Sequence, residues 1–410
     1  MKKIDLKKFR AADHSVLRDI NEAIVINLIR ERQPVSRVDI AGASGLEEGT
    51  ISRIVQRFLK QGLVFESGVG PSTPAGGRKP RFLHINPTKR CAVGVEIGPQ
   101  ETLLALSDLN GHLHQLRRIP HSRQHMPFLA EVAAAIQDLI RFAKHYQEIG
   151  GVGVSLPGLL DVKEGVVLEG ENLGWGGNIP VGAILRSGIK KEIPLYYENG
   201  ARLCALGEIW FGTAHFPGFR DMVFVDVSEG VGTGIIINGQ LYHGHQHGAG
   251  EFGHVCIDPA GPRCSCGSAG CLEALASDYA TLERYRQKRQ SAPDSNGLRT
   301  DVTDVATIVD LARNGDRTAL ATIQETGHYL GLGIAPILYG LNPEAVIIGG
   351  KIAEAWPLIS GKVLDSLATR VSPAYRQATK ILPSTLHIRP SLLGSIALVL
   401  AQDFSTPDIL

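Results

Sequence analysis

The sequence predicts a mixed α/β chain built as a short basic head and two similar α/β lobes. Three observations predict it. The chain has 410 residues, too many for one ordinary domain of roughly 100–200 residues. Its charge is split: residues 1–90 carry 17 lysines and arginines against 9 acids, a net of +8, and residues 91–410 carry 25 against 32, a net of −7. One pattern, three short strands and then a helix and a strand, begins near residue 91 and again near residue 222.

In the head, Val16, Ile20, Ala23, Ile24 and Leu28 recur at helical spacing, and Gln33-Pro34 ends that helix. Ser36 can cap the next helix with Asp39 reaching back, and Gly45 breaks it after about Ala43. A third helix, from about Glu47 to Gln61, has Ile51, Ile54, Val55, Phe58 and Leu59 on one face and Gly62 to close it. Its other face shows Thr50, Ser52, Arg53, Gln56, Arg57 and Lys60. A short helix, a turn and a polar-faced helix with arginines is a helix-turn-helix, whose second helix enters the major groove of DNA. Leu63–Glu66 and Arg81–Ile85 read as strands around a Gly/Pro/Ser-rich tip ending Gly76-Gly77-Arg78-Lys79-Pro80. Such a wing can lie in a narrow minor groove. Thr50, Ser52, Arg53, Gln56, Arg57, Arg78 and Lys79 are therefore the expected DNA contacts. A three-helix packing module with a solvated charged face is the bland alternative; helix pattern, wing and charge agree on DNA.

Asn86-Pro87 closes the head. Cys91–Ile97, Thr102–Ser107 and His112–Arg118 read as strands, with turns at Gly98-Pro99 and Asn110-Gly111. A helix near 128–145 and strands near 152–156 and 194–198 follow. A helix at 201–211 leads to the second set, near 222–227, 234–237 and 240–243, then a helical stretch at 303–340 and a strand near 345–348. The repeat predicts two lobes with a cleft between them, and units at 1–87, 88–200 and 201–410. Composition, at 43% hydrophobic and 20% charged, excludes a disordered chain. No apolar run approaches the roughly 18–20 residues of a membrane span, so no membrane insertion is expected. The charged start Met1-Lys2-Lys3-Ile4-Asp5 has no apolar stretch behind it, and a reducing cytoplasm is expected.

His254, Cys264, Cys266 and Cys271 lie within 18 residues, separated by glycines and prolines that let backbone wrap a small ion. Three thiolates and an imidazole make a closed tetrahedral zinc set with no open position, so one structural Zn²⁺ per chain is expected. Unrelated buried cysteines or a redox pair are the alternatives. Cys91, Cys204 and Cys256 fall outside the spacing and read as core residues. His243, His245 and His247 read as a solvated turn.

With its flanks Glu251-x-Gly-His254 and Gly270-Cys271-x-Glu273, this cluster closely resembles the signature of the ROK family of repressors, open reading frames and sugar kinases. Gly153-Val-Ser-Leu-Pro157-Gly158, Asn172-Leu-Gly-Trp175, Glu198-Asn199, Asp226-x-x-x-Gly230-x-Gly232-Thr233-Gly234 and Asn342-Pro-Glu-x-x-x-Ile348-Gly349-Gly350 match as well. The resemblance covers nearly the whole chain. It implies a winged helix-turn-helix like that of the repressor branch, followed by a two-lobed actin/hexokinase-like (ribonuclease H-like) sugar-kinase fold. It places Asn199, Glu251, His254 and Glu273, with Asn172 a weaker candidate, around a sugar or sugar phosphate. Glu251 could instead serve only as a support of the zinc loop.

Two departures from the family pattern bear on catalysis. The kinases take the sugar hydroxyl proton with an Asp after Glu-Asn, and this chain has Gly200 there, so no catalytic residue is expected. The first phosphate loop lacks its Thr and Lys and carries Glu101, which would repel a triphosphate. Gly230, Gly232 and Gly234 serve a turn as readily as a nucleotide. The reading is a sugar-responsive regulator on operator DNA, as a homodimer or homotetramer. Its rivals are an ATP-dependent sugar kinase with a DNA-binding head and a regulator whose vestigial pocket leaves control to a partner protein.

Overall fold

A computed structural model of the chain describes residues 14–70, 79–190, 192–212, 219–291, 302–386 and 389–404. The head comprises α1 (His14–Arg32), β1 (Val35–Ser36), α2 (Arg37–Ser44), α3 (Glu48–Gln61), β2 (Val64–Val69) and β3 (Arg81–Ile85). The expected cap of α2 is reciprocal: Asp39 N–H donates to Ser36 Oγ at 3.3 Å, and Ser36 N–H to Asp39 Oδ2 at 3.1 Å. Gly45 and Gly62 end α2 and α3 in the left-handed region, at φ of 70° and 71°. The wing strands β2 and β3 pair antiparallel, and β1, not isolated from the sequence, pairs with the other edge of β3. In α1 the buried residues are Ala23, Val25, Ile26 and Ile29. Of the expected stripe, Ile20, Ile24 and Leu28 are only half-buried, because α1 is covered by the body as well as by α2 and α3.

The first lobe has β4 (Arg90–Ile97), β5 (Glu101–Asp108), β6 (Leu113–Pro120), α4 (His125–Phe142), β7 (Glu148–Leu156), a small hairpin of β8 (Leu159–Asp161) and β9 (Val166–Glu169), α5 (Val181–Gly188) and β10 (Leu195–Asn199). Its sheet order is β10-β7-β4-β5-β6. After α6 (Gly200–Phe211), the second lobe has β11 (Met222–Val227), β12 (Val231–Ile237), β13 (Gln240–Leu241), α7 (Leu272–Ala276), α8 (Asp278–Ser291), α9 (Val305–Arg313), α10 (Arg317–Leu341), β14 (Ala345–Gly349), α11 (Trp356–Arg370), α12 (Pro373–Ala378) and β15 (Lys380–Pro383). The second sheet runs β13-β12-β11-β14-β15. In each sheet three antiparallel strands are extended by two parallel ones, in the same order, so the duplication is topological. The expected helix at 303–340 is split into α9 and α10 by Asn314-Gly315-Asp316; Asp316 Oδ1 caps α10 by accepting from Ala319 N–H at 2.8 Å.

The last helix, α13 (Pro390–Phe404), packs on β4 and β7 of the first sheet and along α6. Residues 201–410 therefore do not all belong to the second lobe. Leu392, Leu393, Ile396, Ala397, Val399 and Leu400 are all buried, and a helix apolar on most sides must be covered by several elements. Backbone approaches are close. A Cβ on Gly153 would lie 1.9 Å from the Ser395 carbonyl oxygen, and one on Gly394 would lie 1.8 Å from that of Leu203. Ile396, Val399, Leu400 and Phe404 share one apolar cluster with Val25, Ile26 and Ile29 of the head. Head and body are thus joined by a core as well as by a linker.

Gly394→Ala should destabilise the protein by about 1–3 kcal/mol or more, since the α6 backbone has to give way. Gly361→Ala, in α11 with nothing within 4 Å, should stabilise it by about 0.5–1 kcal/mol through lost unfolded-state freedom. Urea unfolding checks both signs; equal midpoints would contradict the contact.

Candidate functional site

The hydrophobic side of α3 is buried through Ile51, Ile54, Val55 and Phe58. This leaves Ser52, Arg53, Gln56, Arg57 and Lys60 exposed, with Thr50 half-buried at the edge. Arg53 Nη2 donates to Thr50 Oγ1 at 3.3 Å. Arg57 is ion-paired with Glu22 of α1, so it braces the head as well as facing outward. Lys79 is exposed beside the wing; Arg78 lies outside the described residues.

The loop between β13 and α7 brings the four metal-ligand candidates together. His254, Cys264, Cys266 and Cys271 place one donor atom each within 4.8 Å of all the others. Cys264 Sγ is 3.6 Å from His254 Nδ1, and Cys266 Sγ is 3.7 Å from Cys271 Sγ. Bonds of about 2.3 Å to a tetrahedral zinc would set sulfurs about 3.8 Å apart, so the donor set can hold such an ion. A hydrogen bond from the Ser268 backbone holds the Cys266 thiol down to about 7, whereas burial pushes Cys271 up to about 12. A cation would have to displace the Cys271 proton. Of the other cysteines, Cys91 and Cys204 are buried as expected, but Cys256 is exposed. It sits opposite Cys271 in a bridge on the loop's surface, outside the core.

The expected sugar residues divide. Asn172 and Glu273 line one cleft of about 600 Å³ together with Glu229, Arg263 and Ser265. Asn172 comes from the first lobe, on a turn held by the His121–Leu173 hydrogen bond of 2.9 Å, and the others come from the second. Glu273 Oε2 accepts from Val231 N–H at 3.0 Å, and its Oε1 is 3.8 Å from Cys264 Sγ, which ties the cleft to the metal loop. Asn199, Glu251 and His254 are not among the residues lining that cleft. Glu251 is exposed, and its Oε2 lies 4.0 Å from His254 Nε2. Asn199 is the N-cap of α6: its Oδ1 accepts from Ala201 N–H at 2.9 Å, and its Nδ2 donates to the Gly158 carbonyl at 3.0 Å. The histidine turn is not merely solvated. His243 Nε2 meets buried Glu198 at 2.7 Å, and Nδ1 of His247 is buried. Sequence spacing could not find this contact, because Glu198 and His243 are 45 residues apart.

The ROK family model matches residues 92–402. The chain belongs to the ROK family. Over 392 residues it is 30% identical to a xylose repressor of Bacillus spizizenii, covering 95% of this chain and 97% of that protein. It is 29% identical over 393 residues to the transcriptional dual regulator NagC of Escherichia coli, covering 94% and 93%. A solved ROK transcriptional regulator, a homolog of the E. coli Mlc protein, aligns with a TM-score of 0.78 at 26% identity, over 95% of this chain and 97% of its own. A ROK glucokinase of Streptomyces griseus solved with glucose and AMPPNP aligns with a TM-score of 0.65 at 25% identity, over 75% of this chain and 98% of its own. The body therefore has the fold of the ROK sugar kinases.

In this ROK chain the glycines of the second sheet have a packing task. A Cβ on Gly232 would lie 2.7 Å from Ala201 Cβ, and one on Gly234 would lie 2.5 Å from the Ala201 carbonyl oxygen, so they let α6 rest on β12. Gly200 has space: its missing Cβ would meet only Ser155 Oγ, at 3.4 Å. The first strands of the two sheets carry matching carboxylates near their ends, Glu96 and Asp226. Burial pushes Glu96 up to about 7 against the pull of Arg389, and Asp226 up to about 6. Burial, with Glu229 and Asp226 adding to it, pushes Asp278 up to about 7. Glu101 is not the bare repulsive charge expected from sequence. It pairs with Arg118 at 3.3 Å and with Arg389, which also lies 3.8 Å from Glu96.

These buried carboxyls bind their protons more tightly folded than unfolded. Between about pH 4 and pH 7 the folded state holds the extra protons, so their contribution makes stability fall as pH rises through that window. Asp278→Asn cannot ionise. It should match the parent near pH 4 and exceed it above pH 7 by on the order of 2 kcal/mol. Urea midpoints at both ends of the window check this, and a loss at the alkaline end would contradict it.

Proposed function

We propose that the chain is a sugar-responsive transcriptional repressor of carbohydrate-use genes, working in the cytoplasm on operator DNA as a homodimer or homotetramer. The observation that carries it is the union of a winged head, with Ser52, Arg53 and Gln56 turned outward, and a kinase-type body in which glycine stands at the base position. Relatives named as xylose and N-acetylglucosamine repressors support the same reading. The body is read as a sensor and not as a kinase: Gly200 offers no group to accept a proton, and Arg389 engages the carboxylates at the first phosphate loop.

In this reading Asn172 and Glu273 meet the effector in the cleft they line, and Asn199, Glu251 and His254, which lie outside that lining, would join them as the lobes close, with Asn199 acting also through the cap it provides. The cleft's charge favours an uncharged sugar over its phosphate. Glu229, Glu273, Glu283 and Glu325 outnumber Arg263 and Arg284 on its walls, and Arg284 is already paired with Glu325 at 3.1 Å. A phosphate dianion would enter against that field. His254, Cys264, Cys266 and Cys271 would hold one structural zinc, which keeps Glu273 beside the cleft. Thr50, Ser52, Arg53, Gln56 and Arg57 would meet the major groove, and Arg78 and Lys79 the minor groove. Two copies related by a twofold axis would match a palindromic site.

Operator binding read by fluorescence anisotropy should weaken steeply with salt, and Arg53→Ala should cost about 1–3 kcal/mol and relax sequence preference. A neutral pentose or hexose should lower operator affinity roughly 5–150-fold, and its phosphate should do so only at much higher concentration. A chain beginning at Thr88 that bound the operator like the parent, or a panel in which no sugar had any effect, would refute the reading.

Elemental analysis should find one zinc per chain. Cys266→Ser should lose it and destabilise the second lobe, because a site that binds only the folded chain adds its binding energy to folding. Zinc-free protein with all six thiols free would contradict the assignment.

A further inference from the structure

Helix α6 begins where the two lobes meet, outside the residues that line the cleft, and ends against the head. Its first turn is tied into a buried network. Glu198, at the end of β10, accepts from Asn199 N–H at 2.7 Å, from Arg202 Nη1 at 3.1 Å and from His243 Nε2 at 2.7 Å. Arg202 also donates to the Ala249 carbonyl at 3.2 Å. His243 and Ala249 lie in the second lobe beyond β13, and Glu198 lies in the first, so this network spans both lobes. Asn199 extends it to the Gly158 carbonyl before β8.

At the far end, Trp210 receives the Arg30 guanidinium of α1 over its ring, 4.2 Å from the centroid. The Phe404 ring meets Trp210 edge-on at 5.6 Å, and the Phe404 carbonyl accepts from Asn27 Nδ2 of α1 at 2.8 Å. Arg30 is largely covered, with 15% of its side chain exposed, and its Nε is buried without a hydrogen-bond partner. The indole face, the Phe404 ring at 5.9 Å and Glu31 at 3.1 Å compensate this largely desolvated cation. Twelve helical residues span about 18 Å. Along that length α6 lies backbone to backbone against α13: a Cβ on Gly207 would lie 2.7 Å from the Pro390 carbonyl, and the Gly394 contact is tighter still.

We propose that α6 is the strut through which the cleft controls the head, and that the Arg30–Trp210 contact is its coupling point. The proposal rests on the regulator reading above and adds the route. A change in lobe angle strains the Glu198–Arg202–His243 network and tilts α6 as a rigid body. Trp210 then moves against Arg30, and α1 changes its angle to the body, which in a two-headed assembly changes the distance between the recognition helices. A ligand acts on this only through its differential affinity for the two lobe arrangements.

A double-mutant cycle on the full-length protein tests the route without any sugar. His243→Gln loosens the cleft end of α6. Arg30→Gln removes the cation at the head end, off the α3 face that would read DNA. His243→Gln should change operator affinity by about fivefold or more, and by less than about twofold in the Arg30→Gln background. Trp210→Phe, which keeps an aromatic face, should preserve the coupling. Additive effects, or no effect of His243→Gln on the parent, would overturn the proposal. With a responding sugar, Arg30→Gln should bind it in calorimetry within about threefold of the parent yet lose the sugar-dependent change in operator affinity. An Arg30→Gln protein that kept the parental response would overturn the route and leave the regulator reading intact. A parent that responded to no sugar would overturn that reading, with the cycle still deciding the route.

Discussion

The structure depends on the contact between α6 and α13. Two helices from distant parts of the sequence pass so closely that the backbone of one fills the space where a side chain of the other would be, at Gly394 against Leu203 and at Gly207 against Pro390. Glycine is the residue that permits this approach. The same pair is clamped from both sides by glycines of the sheets, Gly153 in β7 and Gly234 in β12. Because α13 also supplies Ile396, Val399, Leu400 and Phe404 to the core of the head, one close-packed pair joins three units. Close-packed interiors transmit displacement, so the pair makes the chain mechanically continuous.

The second organising feature is buried negative charge. Duplication of the sheet places Glu96 and Asp226 at corresponding strand ends, and Asp278 and Glu229 add to the same field. In a phosphoryl-transfer site such charge would be balanced by cations and by donors to phosphate. Here Arg389, from the segment that leads into α13, lies against Glu96 and Glu101. Glu96 and Glu101 are thereby paired within the chain, and burial keeps the proton affinities of Glu96, Asp226 and Asp278 high.

The metal loop and the cleft are likewise one structure. Glu273 reaches the Val231 backbone with one oxygen and stands beside Cys264 with the other. Anything that fixes the four donors also fixes a wall of the cleft, the usual way in which a supporting shell orders a recognition site.

Much of this was legible in the residues themselves. Local rules settle local features: the Ser36–Asp39 cap, the glycine stops of α2 and α3, and the apolar face of α3 each depend on neighbours within a few positions. The donor cluster was legible because all four residues lie within one short loop, and the duplicated lobes because strand periodicity repeats. What depends on distant chain segments was not legible. No helix is predicted over 390–404, because α13 is apolar on most sides and shows no one-faced stripe, and only the packing says which sheet covers it. The partner of His243 lies 45 residues away, and the cations that neutralise Glu101 come from Arg118 and from Arg389 near the other end of the chain. The buried stripe of α1 was misplaced for the same reason, since its cover comes from the body. Sequence by itself determined many of the elements, the stops of α2 and α3, the donor set and the glycine at position 200, because these are properties of a residue and its near neighbours. Only the tertiary structure decided which elements share a core and which charges meet, because burial and Coulomb energy depend on distance in space and not on separation along the chain.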